Sequence, residues 1–177
     1  PPGRQASPLL FTGATIHPVS SDPIRNGRML VIDGRIDTIG GPNLKINLPK
    51  GTRTIDLKGK HLYPGMIAAN SVLGLTEVNA VRATADMVES GEINPNTRAQ
   101  VSINPDSELI PVARANGVLA TLTSPRTGSG GLVAGTSALV QLDGWTWEEM
   151  TVQSPVAMHV YWPRLRTSSR WTTPEDE

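Results

Sequence analysis

The sequence predicts a mixed α/β chain, with a small β-sheet or sandwich first and alternating strands and helices after it. Three observations carry this. Residues 9–57 read as short β-rich runs broken by turns. Beyond Tyr63 the apolar segments are separated by helix start and stop signals. Strand and helix in alternation are the pattern of βα units around a parallel sheet.

In the first third, Leu9, Leu10, Phe11 and the residues up to Ile16 form an apolar run that stops at His17-Pro18. Residues 28–32 form a second run and residues 35–39 a third, with Asp33-Gly34 between them. Two β-rich runs joined by Asp-Gly predict a hairpin, because that pair accepts positive φ at both central positions. After Gly40-Gly41-Pro42, a polar loop leads to a further strand over residues 52–57.

The later region reads differently. Val78, Val81, Ala85 and Val88 fall at helix-like spacing in a stretch of low apolar content. Asn104 suits a helix cap, Pro105 the first helical position and Gly117 the residue just past the end. Pro111 would kink or restrict that helix. Residues 118–123 are a short apolar run of the kind found in buried parallel strands. Residues 139–142 predict another strand. Thr146 and Glu149 then have the spacing of a capping box that opens a short helix. Residues 167–177, made of Ser, Thr, Pro and acids with few apolar groups, form a loose tail.

Composition narrows the function classes. The 177 residues carry 16 basic and 16 acidic side chains. This length suits one ordinary domain or two small ones, burying roughly 70% of the unfolded surface. With no basic excess, no nucleic-acid partner is expected. There is no cysteine, which removes disulfides, thiolate metal sites and a cysteine nucleophile but does not choose a compartment. No apolar run approaches the ~20 residues of a membrane span, and no charged-then-apolar signal segment opens the chain. No membrane partner is expected, and the localisation stays open between cytoplasmic and exported. The chain starts at Pro1-Pro2; a processed export signal, trimming or an internal fragment would each account for that start.

Several passages, taken in order, resemble the amidohydrolase superfamily, in particular its imidazolonepropionase-like members. They are Met29-Leu30-Val31-Ile32-Asp33-Gly34-Arg35-Ile36, the run from Ile55 to Gly65, Ile103-Asn104-Pro105-Asp106, Ala113-Arg114-Ala115-Asn116-Gly117-Val118 and Gly128-Ser129-Gly130-Gly131. The likeness runs from about Leu9 to Pro163. It implies a β-sandwich (composite) domain over residues 1–61, the first βα units of an incomplete TIM-type barrel over 62–166, and the tail over 167–177.

In that family the Pro-Gly is followed by Ile-Asp-x-His-x-His at the end of barrel strand one. The alternating histidines both face the barrel mouth, as period-two strand geometry requires. There they bind a divalent metal such as zinc, which activates water and polarises the scissile carbonyl. Here the matching positions are Ala68, Asn70 and Val72. Alanine and valine offer no lone pair, and an amide is a poor substitute for imidazole at a transition metal. Disturbing only the groups behind metal ligands costs ~10–100-fold, so losing two imidazoles and a carboxylate costs far more. About 115 residues follow the sandwich, whereas a full barrel takes about 250. No cofactor is therefore expected in this chain, and no catalytic residue is assigned.

Other candidate sites are weaker. His17, His61 and His159 are the only histidines, and no two share a ligand spacing. A structural role is expected for each, with His159 and Asn70 the candidates for a pocket. The glycine-rich run from Thr127 to Thr136 lacks the Gly-Lys-Ser/Thr ending of a phosphate loop and opens no obvious helix. Ser124 and Ser129 have no neighbouring histidine to activate them. Trp162, Arg164, Arg166, Arg170 and Trp171 interleave stacking and charged groups, but Glu175, Asp176 and Glu177 offset that charge.

Three functional readings follow. The first is an amidohydrolase-like protein, by ancestry a hydrolase of non-peptide carbon–nitrogen bonds, inactive as this chain. The second is part of an active metal-dependent hydrolase completed by further sequence or a partner chain. The third is a non-enzymatic interaction or assembly module. An incomplete barrel leaves a sheet edge and apolar faces open, so self-association or a partner chain is expected to cover them.

Overall fold

The computed structural model describes residues 7–128 and 130–162, and the chain divides into two units, Pro1–Gly65 and Met66–Glu177. The mixed α/β class holds, with strands predominating and few helical turns.

In the first unit, β1 (Leu9–Ile16), β2 (Ile24–Ile32), β3 (Arg35–Gly40), β4 (Arg53–Asp56) and β5 (His61–Leu62) form one five-stranded sheet. The Asp33-Gly34 hairpin forms as expected: both residues have positive φ, 50° and 74°, and Ile32 pairs with Arg35 across the turn. This is the twist-compatible two-residue turn that Asp-Gly favours. β1 runs antiparallel to β2 and parallel to both β4 and β5. Ala14, Ile16 and Met29 are buried, with Phe11, Ile24, Val31, Leu57 and Leu62 packed around them.

In the second unit, β6 (Met66–Ser71) and β7 (Val118–Thr123) pair in parallel. β9 (Ala138–Gln141) and β10 (Thr151–Gln153) extend this sheet in the order β10-β9-β7-β6. β8 (Val133–Thr136) and β11 (Met158–Val160) form a separate two-stranded ribbon. The strand expected over residues 139–142 is β9, but it runs antiparallel to β7. The chain between β7 and β9 holds β8 and no helix, and a return without a long crossover gives an antiparallel neighbour. Among the named strands of this unit, only β6 and β7 make the expected parallel pair. β6 is the sheet edge, and its Met66 and Ile67 are exposed.

The helix α1 covers Leu109–Ala115, later than Asn104-Pro105 would start it. The Asn104 side chain instead accepts from Asp106 N at 3.1 Å, and Ser107 Oγ accepts from Leu109 N at 3.3 Å. Asn104 therefore caps a turn before the helix. Pro111 lies in the first helical turn, where its missing N–H costs little. Gly117 takes the left-handed conformation past the helix end, as expected. α2 (Trp147–Met150) opens on the Thr146 hydroxyl, which accepts from Glu149 N. The Glu149 carboxylate reaches back to Trp145 N at 3.0 Å, one residue earlier than in a standard capping box.

No helix forms over Val78, Val81, Ala85 and Val88. Arg82–Thr84 is a 3₁₀ turn, Thr76 bridges Ala85, and the three valines are exposed. The Thr84 hydroxyl bonds with Val78 N, Val78 O and Val81 O, so a side chain takes the backbone partners a helix would need. The core of this unit lies between the sheet, α1 and α2. Leu75, Ala99, Ile103, Ile110, Val140, Leu142 and Met150 are buried there, and Thr121 and Thr123 of β7 are fully enclosed. No helix among the described residues is long and apolar enough to cross a membrane.

Candidate functional site

Parallel strands present their carboxyl ends on one side, which is where α/β sheets place ligands. At those ends of β6 and β7 lies a cleft of about 530 Å³, lined by Val72, Leu73, Thr76, Glu77, Met87 and Arg126 among others. β7 delivers Arg126 three residues beyond its last position. Arg126 N donates to Met87 O at 2.7 Å, and Val88 bridges Arg126. The position of this side chain is therefore set by main-chain pairing.

β6 does not end as a regular strand. Ala68 pairs with Thr121 and Ser71 with Thr123, a register shift that leaves an extra residue on β6. Asn70 sits in that bulge with φ of 60°. Asparagine tolerates the left-handed region better than most residues, which gives a local reason for its presence. Its carbonyl accepts from Arg126 Nη2 at 3.1 Å. Arg126 Nη1 donates to Tyr161 Oη at 3.2 Å, and Tyr161 Oη donates to Pro125 O at 3.2 Å. The Thr121 hydroxyl bonds Ala68 O, and Ser124 N bonds Ser71 O, so both flanks of the bulge are held.

His159 comes from β11, where it pairs with Gly135. Its Nε2 is buried and has no hydrogen-bond partner among the described residues. Burial, and secondly the charge of Arg126, hold its pKa below the ordinary 6.5. A neutral imidazole is the result. Arg126 bonds the Asn70 carbonyl and its charge reaches His159, but neither of these two pocket candidates is among the residues lining the cleft. Arg126 was missed because nothing in Ser124-Pro125-Arg126-Thr127 marks it out. Only the β6–β7 pairing brings it to Asn70, 56 residues away in sequence.

The residues at the positions that match the superfamily motif differ from it in chemistry and in backbone. Ala68 and Val72 carry no donor atom, Asn70 lies in a bulge that breaks the two-residue alternation, and a guanidinium occupies its carbonyl. A fixed cation at that point opposes a divalent ion. The cleft itself is mainly apolar, with Arg126 and Glu77 as its charged lining residues.

The remaining candidates fall elsewhere. The glycine-rich run turns at Gly128 and Gly131 and enters β8, a strand and not a helix. Ser124 Oγ is buried and donates to Leu122 O. Trp162 is exposed; Ser129, Arg164, Arg166, Arg170, Trp171 and the acidic tail over 167–177 lie outside the described residues. His17 and His61, separate in the sequence reading, come together in the first unit, with His17 Nε2 and His61 Nδ1 2.9 Å apart. The signal for this was the parallel β1–β5 pairing, which two short runs 44 residues apart do not reveal.

No family model matches the chain, and no curated protein matches it. Among solved structures, an amidohydrolase from Thermotoga maritima MSB8 aligns with 30% identity and a TM-score of 0.75. That alignment covers 85% of this chain and 38% of the Thermotoga protein. A prolidase complexed with N-methylphosphonate-L-proline aligns over 41% of this chain and 17% of its own, with 18% identity and a TM-score of 0.34, too low to bear on the fold. The resemblance carried by the run from Ile55 to Gly65 and the structural match to the Thermotoga amidohydrolase agree, and the chain belongs to the amidohydrolase superfamily.

Proposed function

We propose that this is an amidohydrolase-like protein, by descent a hydrolase of non-peptide carbon–nitrogen bonds, in which the described region performs no metal-assisted hydrolysis of its own. The observation that carries this is the contact of Arg126 with the Asn70 carbonyl. It sets a guanidinium against the backbone of the residue at which the family motif has its first histidine. The five-stranded sheet of the first unit corresponds in this reading to one layer of the β-sandwich over residues 1–61. β6 and β7 are the first parallel pair of an incomplete barrel over 62–166. The test is a zinc titration followed by residue-resolved amide NMR. Amides from Ala68 to Val72 are expected to stay unmoved; saturable shifts there would overturn the proposal.

A second reading is favoured by one observation. The chain spans 38% of the length of the Thermotoga amidohydrolase, and the outer edge of β6 pairs with no other named strand. Further strands or a partner chain would cover that edge and could supply an active centre. Light scattering separates the two. A self-associating protein supports an edge in need of cover, and a well-behaved monomer counts against it.

A further inference from the structure

We infer that His17 and His61 form a two-imidazole binding site for a divalent transition-metal ion of tetragonal preference, Cu(II) or Ni(II). The site is built by the first unit alone and is independent of the cleft beside Arg126. Its basis is a pair of ring nitrogens brought together by backbone pairing. Thr15 pairs with His61 and Ile16 with Leu62 in parallel. Thr15 N donates to Lys60 O and His17 N to Leu62 O, both at 2.9 Å. These bonds run along both strands on either side of the histidines, so the two side chains emerge next to each other. Tyr63 stacks on His17 with ring centroids 4.3 Å apart and planes 9° from parallel. His17 and His61 stack at 5.2 Å.

The observed His17 Nε2 to His61 Nδ1 distance is 2.9 Å, a hydrogen bond between the two rings. Imidazole nitrogen suits Cu(II) and Ni(II), and affinity for a nitrogen site rises along the divalent first-row ions to Cu(II). In the hydrogen bond between the rings one contact nitrogen carries the joining proton. A tautomeric shift of that proton to the far nitrogen of its own ring leaves both contact nitrogens with lone pairs to offer. A swing about χ2, a soft torsion for histidine, aims both lone pairs at one point. The contact is open to solvent, with His61 exposed and His17 half-buried, so water completes the coordination. Among the described residues no group of three or more His, Cys, Asp and Glu assembles around a common point. The ion is therefore an exchangeable one held by two protein ligands.

The experiment is a Cu(II) titration of the untagged full chain, read by calorimetry and by electron paramagnetic resonance. The parent protein is expected to bind one ion, with an axial spectrum split by two nitrogens. His17→Ala and His61→Ala are each expected to weaken binding at least about tenfold, since even groups behind a ligand are worth that much. Tyr63→Phe keeps the stacked ring and is expected to bind as the parent does. Equal binding by the parent and the double variant His17→Ala/His61→Ala would mean an adventitious ion only and overturn the proposal. Loss of binding in Tyr63→Phe would also overturn it, by making the phenol oxygen a ligand. Neither result touches the zinc titration at β6, which reads different residues.

Discussion

Arg126 Nη2 donates to the backbone carbonyl of Asn70 at 3.1 Å, joining the ends of the parallel pair β6–β7 by a side chain. The same guanidinium reaches Tyr161 Oη from its other nitrogen. The bulge on β6, the loop after β7 and the stretch after β11 therefore meet at one cation. Arg126→Leu is expected to destabilise the protein by about 0.5–1.5 kcal/mol, because its bond to the Asn70 carbonyl is lost while that exposed carbonyl can turn to water. Arg126→Lys should recover only part of this, since an ammonium lacks the forked geometry that serves two acceptors. Urea denaturation of the two variants checks the order; equal stability of all three proteins would show that the contact contributes nothing.

The left-handed backbone of Asn70 makes a separate prediction. Asn70→Gly is expected to be nearly neutral, and Asn70→Val to cost about 1–3 kcal/mol, because a β-branched residue is strained at positive φ. Thermal melts of the two variants distinguish a backbone requirement from a side-chain one. If Val is tolerated as well as Gly, the bulge is not what selects asparagine.

Restoring the family motif should not restore its chemistry. The combined variant Ala68→Asp, Asn70→His, Val72→His is expected to bind no stoichiometric zinc and to show no hydrolysis of carbon–nitrogen substrates. The bulge removes the strict alternation that points both imidazoles one way, and Arg126 keeps its charge nearby. Zinc content after dialysis is the measurement. One tightly held equivalent, absent from the parent, would refute this.

His159 gives stability a pH dependence of known sign. Burial, then Arg126, lowers its folded pKa below 6.5. As pH falls below the unfolded value, the unfolded chain takes up a proton that the folded chain refuses, so stability declines. The contribution is fully present above about pH 6.5 and is lost as pH falls through the folded pKa. His159→Gln should flatten that part of the profile. Denaturation midpoints at several pH values between about 5 and 8 test it; parallel profiles for parent and variant would remove His159 as the cause.

Gly135 in β8 admits no side chain. Its φ is +111°, and an added Cβ would lie 2.5 Å from Thr97 O and 2.6 Å from Thr97 Cβ. Gly135→Ala is expected to cost upwards of about 2–3 kcal/mol, combining backbone strain with a clash against main chain. Hydrogen exchange should show the loss first at the β8–β11 ribbon, whose partner to Gly135 is His159. Unchanged protection there would contradict the steric argument.

Local chemistry alone determined much of this protein. Asp33-Gly34 dictated a hairpin because its φ requirements are met within two residues. Gly117 dictated a helix end, Thr146 a helix start, and residues 118–123 a strand. Each rests on interactions spanning a few positions, so each could be read in order along the chain. The helix spacing of Val78, Val81, Ala85 and Val88 was also a local signal, but the Thr84 hydroxyl outcompeted it. What only the tertiary structure decided are the meetings across long sequence gaps. Parallel pairing of β6 with β7 brings Arg126 to Asn70, and parallel pairing of β1 with β5 brings His17 to His61. Strand register is set by burial and backbone pairing summed over both partners. No single segment carries that information, so the identities of Ala68, Asn70 and Val72 could be read in advance while the cation placed beside them could not.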